Sequence, residues 1–226
     1  MTGGKAIFDE WPEKYDQWFA TPIGALVKKY ESDLIRELLQ PASGEMILDA
    51  GCGTGVFTQD ILSAGSQVTG LDISFPMLRR GREKAGCFPF RPVVGDISYL
   101  PFRDGSFDRV VSITAIEFVQ DARSVVAEFF RITKKGGVII VANLNSLSPW
   151  AVRRTEKAKK ENTIFRNAVF RSPDELRSLA PVEGVVKTAI HFRKDDIPEK
   201  AVETEHEGRS KGWLTGAFAV VQWHKP

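Results

Sequence analysis

Several things are scarce in this sequence, and each scarcity closes off a class of function. Its 226 residues include two cysteines, three methionines and three histidines. Cys52 and Cys87 are too few for a disulfide framework, and Cys52 sits in a glycine-rich turn where a bridge would obstruct the backbone. A reducing, cytoplasmic setting is therefore expected. No run of about 18 apolar residues occurs, and Met1 to Glu10 lacks an apolar core of signal-peptide length, so neither export nor a membrane span is expected. Charge of one sign is missing as well: 31 Lys and Arg stand against 29 Asp and Glu, a net of +2. That balance gives no reason to expect a nucleic-acid backbone or an anionic membrane as partner, and it favours a small or neutral substrate. Neither an internal repeat nor an interdomain linker is present. With 42% hydrophobic and 27% charged residues, the composition is that of a soluble domain able to bury a core, and one domain over 1–226 is expected.

What is present is an alternation of two periodicities. Ile23, Leu26, Val27, Tyr30, Leu34, Ile35 and Leu38 recur every three or four positions, predicting a helix bounded by Pro22 and Pro41. Short apolar runs at Met46 to Leu48, Val68 to Leu71, Pro92 to Gly95, Phe107 to Ile113 and Val138 to Ala142 predict buried strands, with helices over Pro76 to Lys84 and Ala122 to Ile132 between them. Gly184 to Phe192 and Gly216 to Trp223 add two late strands. The order predicts an α/β fold: a Rossmann-like seven-stranded, mainly parallel sheet with helices on both faces and an antiparallel C-terminal hairpin. Residues 1–40 form an amino-terminal lid and helix, and 145–180 an insert. Lys194 to Lys211 has six acidic and four basic residues and little apolar content, so a solvated or mobile excursion is expected there.

The chemistry concentrates at strand ends. Ile47-Leu48-Asp49-Ala50-Gly51-Cys52-Gly53-Thr54-Gly55 reads as a strand turning through alternate glycines into a helix beginning near Val56. Without Cβ atoms such a turn admits a nucleoside against its backbone. A dinucleotide fingerprint would need glycine where Val56 stands, and a phosphate loop would need Gly-Lys-Ser/Thr, which is missing. Asp49 would repel a polyphosphate but can serve a ligand carrying an ammonium group. Asp72 ends the second strand and can accept both hydroxyls of a ribose, or else cap the helix that starts near Ser74. Asp96 ends the third and can accept from an adenine amino group, or be an ordinary turn residue.

Taken with GLDIS at 70–74 and Pro76-Met77-Leu78, GDISYLPFRDGSFDRVVSI at 95–113, and ITKKGGVIIVANLN at 132–145, the segment ILDAGCGTG at 47–55 resembles the class I S-adenosylmethionine-dependent methyltransferases, and more narrowly their type 11, small-molecule branch. The resemblance covers most of the chain. It implies S-adenosylmethionine as cofactor and S-adenosylhomocysteine as product. The implied cofactor contacts are Asp49, Ala50, Gly51 and Gly53, with Asp49 and Gly51 at the methionine portion. Asp72 would hold the ribose, Ile73 and Met77 flank the adenine, Asp96 and Ile97 meet its edge, and Thr114 close the pocket. Lys134-Lys135-Gly136-Gly137 departs from the usual Lys-Pro-Gly-Gly in a turn away from the cofactor. Tyr15-Asp16-Gln17-Trp18-Phe19 looks like the lid of many relatives, in which Tyr15 and Trp18 shield the sulfonium, although the same aromatics could staple a helix to the sheet.

Methyl transfer from a sulfonium is a direct displacement that requires alignment and exclusion of water rather than a covalent nucleophile. For a general base the candidates are Tyr15, Glu117 and His191, with His206 and His224 less well placed. No residue is assigned to a metal. Trp150, Phe165 and Phe170 with Arg153, Arg154, Lys157, Lys159 and Lys160 either form an aromatic, basic wall for an anionic or flat acceptor, or are the solvated face of an amphipathic helix. A small-molecule acceptor is the expected partner. Action on tRNA or protein would call for a recognition domain that this length does not supply, and cofactor binding without turnover is the remaining alternative.

Overall fold

The computed structural model describes residues 8–161 and 163–226, so most of the Met1 to Glu10 segment lies outside the described residues. The chain enters through α1 (Pro12–Phe19) and α2 (Pro22–Leu39), each starting on proline where a helix needs no N–H. Thr21 caps α2 by accepting the Gly24 N–H at 3.0 Å. Gly24 permits the close approach of α1, because a Cβ there would lie 1.9 Å from the Trp18 carbonyl oxygen. Gln40, left-handed at φ 46°, ends α2 just before Pro41.

From there strand and helix alternate: β1 (Met46–Ala50), α3 (Thr58–Ser63), β2 (Gln67–Asp72), α4 (Phe75–Ala85), β3 (Phe90–Val94), β4 (Phe107–Ile113), α5 (Ala122–Ile132) and β5 (Thr133–Leu144). Then follow α6 (Pro149–Lys160), α7 (Pro173–Arg177), β6 (Gly184–Ala189), α8 (Pro198–Ser210) and β7 (Phe218–His224). The strands form one seven-stranded sheet in the order β3-β2-β1-β4-β5-β7-β6. β1 to β5 run parallel, and β7 is antiparallel to both β5 and β6, the predicted fold class.

Strand periodicity assigns the core to two layers. Ile47, Val111, Ile113, Ile140, Ala142 and Val220 face the layer of α2 and α3. Leu48, Ala50, Val110, Ile139, Val141, Val221 and Trp223 face that of α5 and α7. α5 buries Val125, Val126, Phe129 and Ile132 there, each large apolar side chain contributing about 1.5–3 kcal/mol on burial.

Four expectations need correction. Lys194 to Lys211 is largely solvated as expected, but it is not an irregular excursion, since α8 occupies most of it and separates β6 from β7. Its buried positions, Ala201, Glu205 and Gly208, are small or internally paired, which is why hydropathy does not register a helix. The helix after the glycine turn starts at Thr58 rather than near Val56, and β5 begins at Thr133, so Lys134 to Gly137 lie within the strand. β6 stops at Ala189 because Ile190 turns left-handed at φ 65°. Among the described residues no helix is long and apolar enough to cross a membrane.

Glu205 holds α8 to the body: nearly fully buried, it accepts the His191 backbone N–H at 2.7 Å and Arg209 Nε at 2.9 Å. Glu205→Ala would orphan both donors and is expected to destabilise the fold by about 2–4 kcal/mol. Urea unfolding checks this; a change below about 0.5 kcal/mol, the range of an ordinary surface substitution, would show that α8 is held by other contacts.

Candidate active site

In this sheet order the chain leaves β1 toward β2 on one side and reaches β4 on the other. Parallel sheets open a crevice at such a reversal, outside the carboxyl ends of the strands. Here the crevice is a cavity of about 1050 Å³. Tyr15, Trp18, Asp49, Gly51, Gly53, Asp72, Ile73, Met77, Asp96, Ile97 and Thr114 all line it. Ala50, also expected there, is fully buried on the α5 face, because adjacent strand residues point to opposite sides of the sheet.

The turn after β1 shapes the floor. Gly51 has φ +80°, and a Cβ on it would come within 2.4 Å of Ala115 Cβ; both facts demand glycine. Asp72 Oδ2 accepts the Gly53 N–H at 2.9 Å and Oδ1 accepts the Ser74 N–H at 2.8 Å. Ser74, not Asp72, caps α4, its hydroxyl accepting the Met77 N–H. Asp72 therefore ties the turn to the start of α4 while facing the cavity. Asp96 accepts the Ser98 N–H at 2.8 Å. Thr114, at φ +48°, donates its N–H to the Ala142 carbonyl at 2.9 Å; a non-glycine residue held in that region stores about 1–3 kcal/mol of strain.

α1 roofs the cavity. Asp16 fastens it to the glycine turn and α4: it accepts from Thr54 Oγ1 at 2.8 Å and Arg80 Nε at 3.1 Å and pairs with Lys84. Tyr15 stacks edge-on against Phe19 at 5.2 Å, and Trp18 against Trp150 at 6.2 Å.

Of the candidate bases, Tyr15 alone lines the cavity. Burial, with Glu31 and, more weakly, Glu117 and Asp49 nearby, raises its pKa well above the ordinary phenol value despite a hydrogen bond with Thr114. It keeps its proton at neutral pH and is not poised as a base. Glu117 lies behind the wall, its Oε1 accepting the Leu144 N–H at 2.6 Å. His191 is turned against α8, its ring beside Gly208 and 6.0 Å from Trp213, and burial lowers its pKa. His206 and His224 are exposed outside the cavity.

Sequence reasoning missed Glu31, which lines the cavity and is only 7% exposed. A signal existed: Glu31 falls on the apolar stripe of α2, one turn after Val27 and one before Leu34 and Ile35. Lys194 was placed in a solvated stretch, yet it reaches the cavity wall. The basic wall of α6 divides. Arg153, Arg154 and Lys157 line the cavity with Trp150 and Phe165, whereas Lys159, Lys160 and Phe170 do not.

Three buried carboxyls give the site a distinct pH response. Burial, added to by Asp72, raises Asp49 to about 7 against a hydrogen bond from Thr58 Oγ1 at 2.6 Å. Burial likewise raises Glu31 to about 8 and Glu117 to about 7. Unfolded, these groups titrate near 4, so from about pH 4 to 8 the native state binds more protons than the unfolded one, and stability falls as pH rises through that window. Asp16, Glu45 and Asp108 act oppositely: ion-pair partners hold their pKa values down, and their contribution is lost on acidification. The ligand-free protein is expected to melt at a higher temperature at pH 6 than at pH 8.5, with Asp49→Asn and Glu31→Gln each flattening that slope. Thermal melts across the range would refute the assignment if Tm rose toward pH 8.5 or the variants left the slope unaltered.

Known proteins resemble this chain in sequence and fold. A sequence model of a methyltransferase domain matches residues 48–141. The chain is 41% identical over 135 residues to the malonyl-[acyl-carrier protein] O-methyltransferase of Hamiltonella defensa, covering 59% of this chain and 50% of that protein. It is 31% identical over 177 residues to the demethylmenaquinone methyltransferase of Renibacterium salmoninarum, covering 77% of this chain and 73% of that one. The chain thus spans half or less of the length of two malonyl-carrier-protein relatives that it matches, 50% and 40%. Among solved structures, an S-adenosylmethionine-dependent methyltransferase of Thermotoga maritima, described as a possible histamine N-methyltransferase, superposes with a TM-score of 0.75 at 25% identity, covering 97% of this chain and 99% of that one. The chain belongs to the class I S-adenosylmethionine-dependent methyltransferases.

Proposed function

We propose that this chain transfers a methyl group from S-adenosylmethionine to a small-molecule acceptor inside the cavity. The observation that carries the reading is the convergence of Asp49, Asp72 and Asp96, from three successive strands, on one cavity floored by a glycine-rich turn. The residues fit the cofactor. Gly53, where a Cβ would meet nothing within 4 Å, leaves the turn open toward the cavity. Asp49 offers a buried carboxyl for the ammonium of the methionine portion, and Asp72 retains lone pairs toward the cavity for two ribose hydroxyls. Asp96 and Ile97 suit the adenine edge, and Ile73, 57% exposed at the rim, and Met77 suit its faces.

When bound, the cofactor supplies a methyl group on a positively charged sulfur, and its displacement needs no covalent nucleophile. The chain's own residues align and enclose. Thr114 and Tyr15 line the cavity, whose cofactor half is that of Asp49, Asp72 and Asp96 and whose outer half is that of Trp150, Arg154 and Lys194. Trp18 closes it from above, excluding water and presenting an aromatic face to positive charge. α1 acts as a lid whose latch is Asp16. The relatives' names point to different acceptors, a malonyl-carrier protein and demethylmenaquinone, so the shared region does not choose between them. Two unpaired thiols favour a cytoplasmic setting, and the near-neutral charge favours a small molecule over nucleic acid.

Calorimetry is expected to find S-adenosylmethionine and S-adenosylhomocysteine binding one per chain, with NAD inert; saturable NAD binding without response to either sulfur nucleoside would overturn the reading. Asp72→Ala is expected to weaken cofactor binding by about 1.5–3 kcal/mol, and unchanged affinity in a normally folded variant would remove its ribose role. Hydrogen exchange tests the lid: protection of residues 15–20 is expected to rise on binding S-adenosylhomocysteine. If protection is already high in the free protein and does not change with ligand, α1 is a fixed part of the wall.

A further inference from the structure

We propose that the outer half of the cavity binds an acceptor carrying an anionic group, carboxylate or phosphate, on an apolar body, and that Arg154 grips the anion. This rests on the methyltransferase reading above and adds the substrate class to it.

Arg154 projects from α6 into the cavity wall. Its Nη1 is buried and finds no hydrogen-bond partner among the described residues. Its Cζ lies 5.3 Å from the Trp150 ring centroid and 5.4 Å from that of Phe165. These aromatic contacts hold the guanidinium in place but offer its N–H groups no conventional acceptor. Buried donors without acceptors are costly, and a carboxylate or phosphate matches the planar fork with two parallel hydrogen bonds.

The surrounding charges agree. Glu31 and Glu117 are the carboxyls whose fields reach Arg154. Neither forms a close ion pair with it, and burial keeps both partly protonated near neutral pH. At the mouth, Lys194 stands 5.1 Å over the Trp18 ring. Burial, and then the like charges of Arg153, Arg154 and Lys157, depress its pKa despite Asp195. Arg153 pairs with Asp195, and Lys157 with Glu161 at 3.5 Å. Arg154 and Lys194, like Lys14 on α1, are therefore cations lining the cavity without a close carboxylate ion pair among the described residues. In a chain with a net charge of only +2, that concentration beside aromatic rings suits an amphiphilic anion.

The test is calorimetry on protein saturated with S-adenosylhomocysteine, using four probes of one shape: 2-naphthoate, 2-naphthyl phosphate, 2-naphthylmethanol and 2-naphthylmethylamine. An anion is expected to bind at least about tenfold more tightly than the alcohol, and the better of the two anions identifies the group recognised. Arg154→Gln is expected to abolish that preference, and Arg154→Lys to keep part of it, since it retains charge but not the fork. Affinity for S-adenosylhomocysteine should stay within about twofold in both variants, as for sites that share no partner; this also reports that they fold, and Arg154→Lys alone decides if Arg154→Gln does not. Anions binding no better than the alcohol, the amine binding best, or an anion preference undiminished in the variants would overturn the proposal. Failure of S-adenosylhomocysteine to bind the parent protein would instead overturn the methyltransferase reading on which it rests.

Discussion

The cavity depends on one constraint: the backbone must leave β1 through a turn in which three of five residues are glycine, and hydrogen bonds to its backbone must help hold that turn. Asp72 does so. By accepting the Gly53 and Ser74 N–H groups with its two oxygens, it joins the end of β2 to the turn after β1 and to the first residues of α4. A glycine-rich loop has large conformational freedom, and fixing it costs entropy. Charged hydrogen bonds to its backbone offset that cost while leaving the surface above it open.

The same region concentrates buried ionisable groups without a matching set of close ion pairs. Asp49, Glu31 and Glu117 are all pushed toward neutrality by burial, and Arg154 is desolvated beside them. In a finished core, polar groups left this way would be a defect. Around a cavity they are donors and acceptors awaiting a ligand, and the stability they withhold from the free protein becomes available on binding. Strain at Thr114, left-handed in the cavity wall, belongs to the same pattern.

The two halves come from different parts of the chain. Asp49, Asp72, Asp96 and Thr114 all fall within residues 48–141, the region matched by the methyltransferase-domain model. Tyr15, Trp18, Glu31, Trp150, Arg154 and Lys194 lie outside it, on α1, α2, α6 and the segment after β6. The parallel strands deliver the cofactor side because their carboxyl ends all open toward one edge. Helices and connections packed over that edge deliver the acceptor side and are free to differ among relatives that share the sheet. Arg109 shows how firmly the lower part of the frame is tied: it bridges Glu45 at 2.6 Å and the Leu39 carbonyl at 2.6 Å, joining β4 to the end of α2.

What the sequence by itself determined was everything that rests on local periodicity and local backbone demand. The strands β1, β2 and β4, the helices α2 and α5, the glycine turn and the aspartates at strand ends were all legible, because alternation, capping and glycine spacing act within a few residues. Only the tertiary structure decided what depends on neighbours distant in the chain. α8 was not legible, because its buried face consists of Ala201, Gly208 and a Glu205 satisfied by His191 and Arg209 rather than of apolar bulk. His191 and Glu117 could not be removed from the list of bases until the fold turned one against α8 and engaged the other with the Leu144 N–H at the end of β5. Glu31 and Lys194 entered the cavity wall only when α2 and the chain after β6 came over the sheet. Arg154 was separated from Lys159 and Lys160 by the rotation of α6, since a helix sends residues five or six apart to different faces, and only contact with Trp150 and Phe165 fixed which face looks inward.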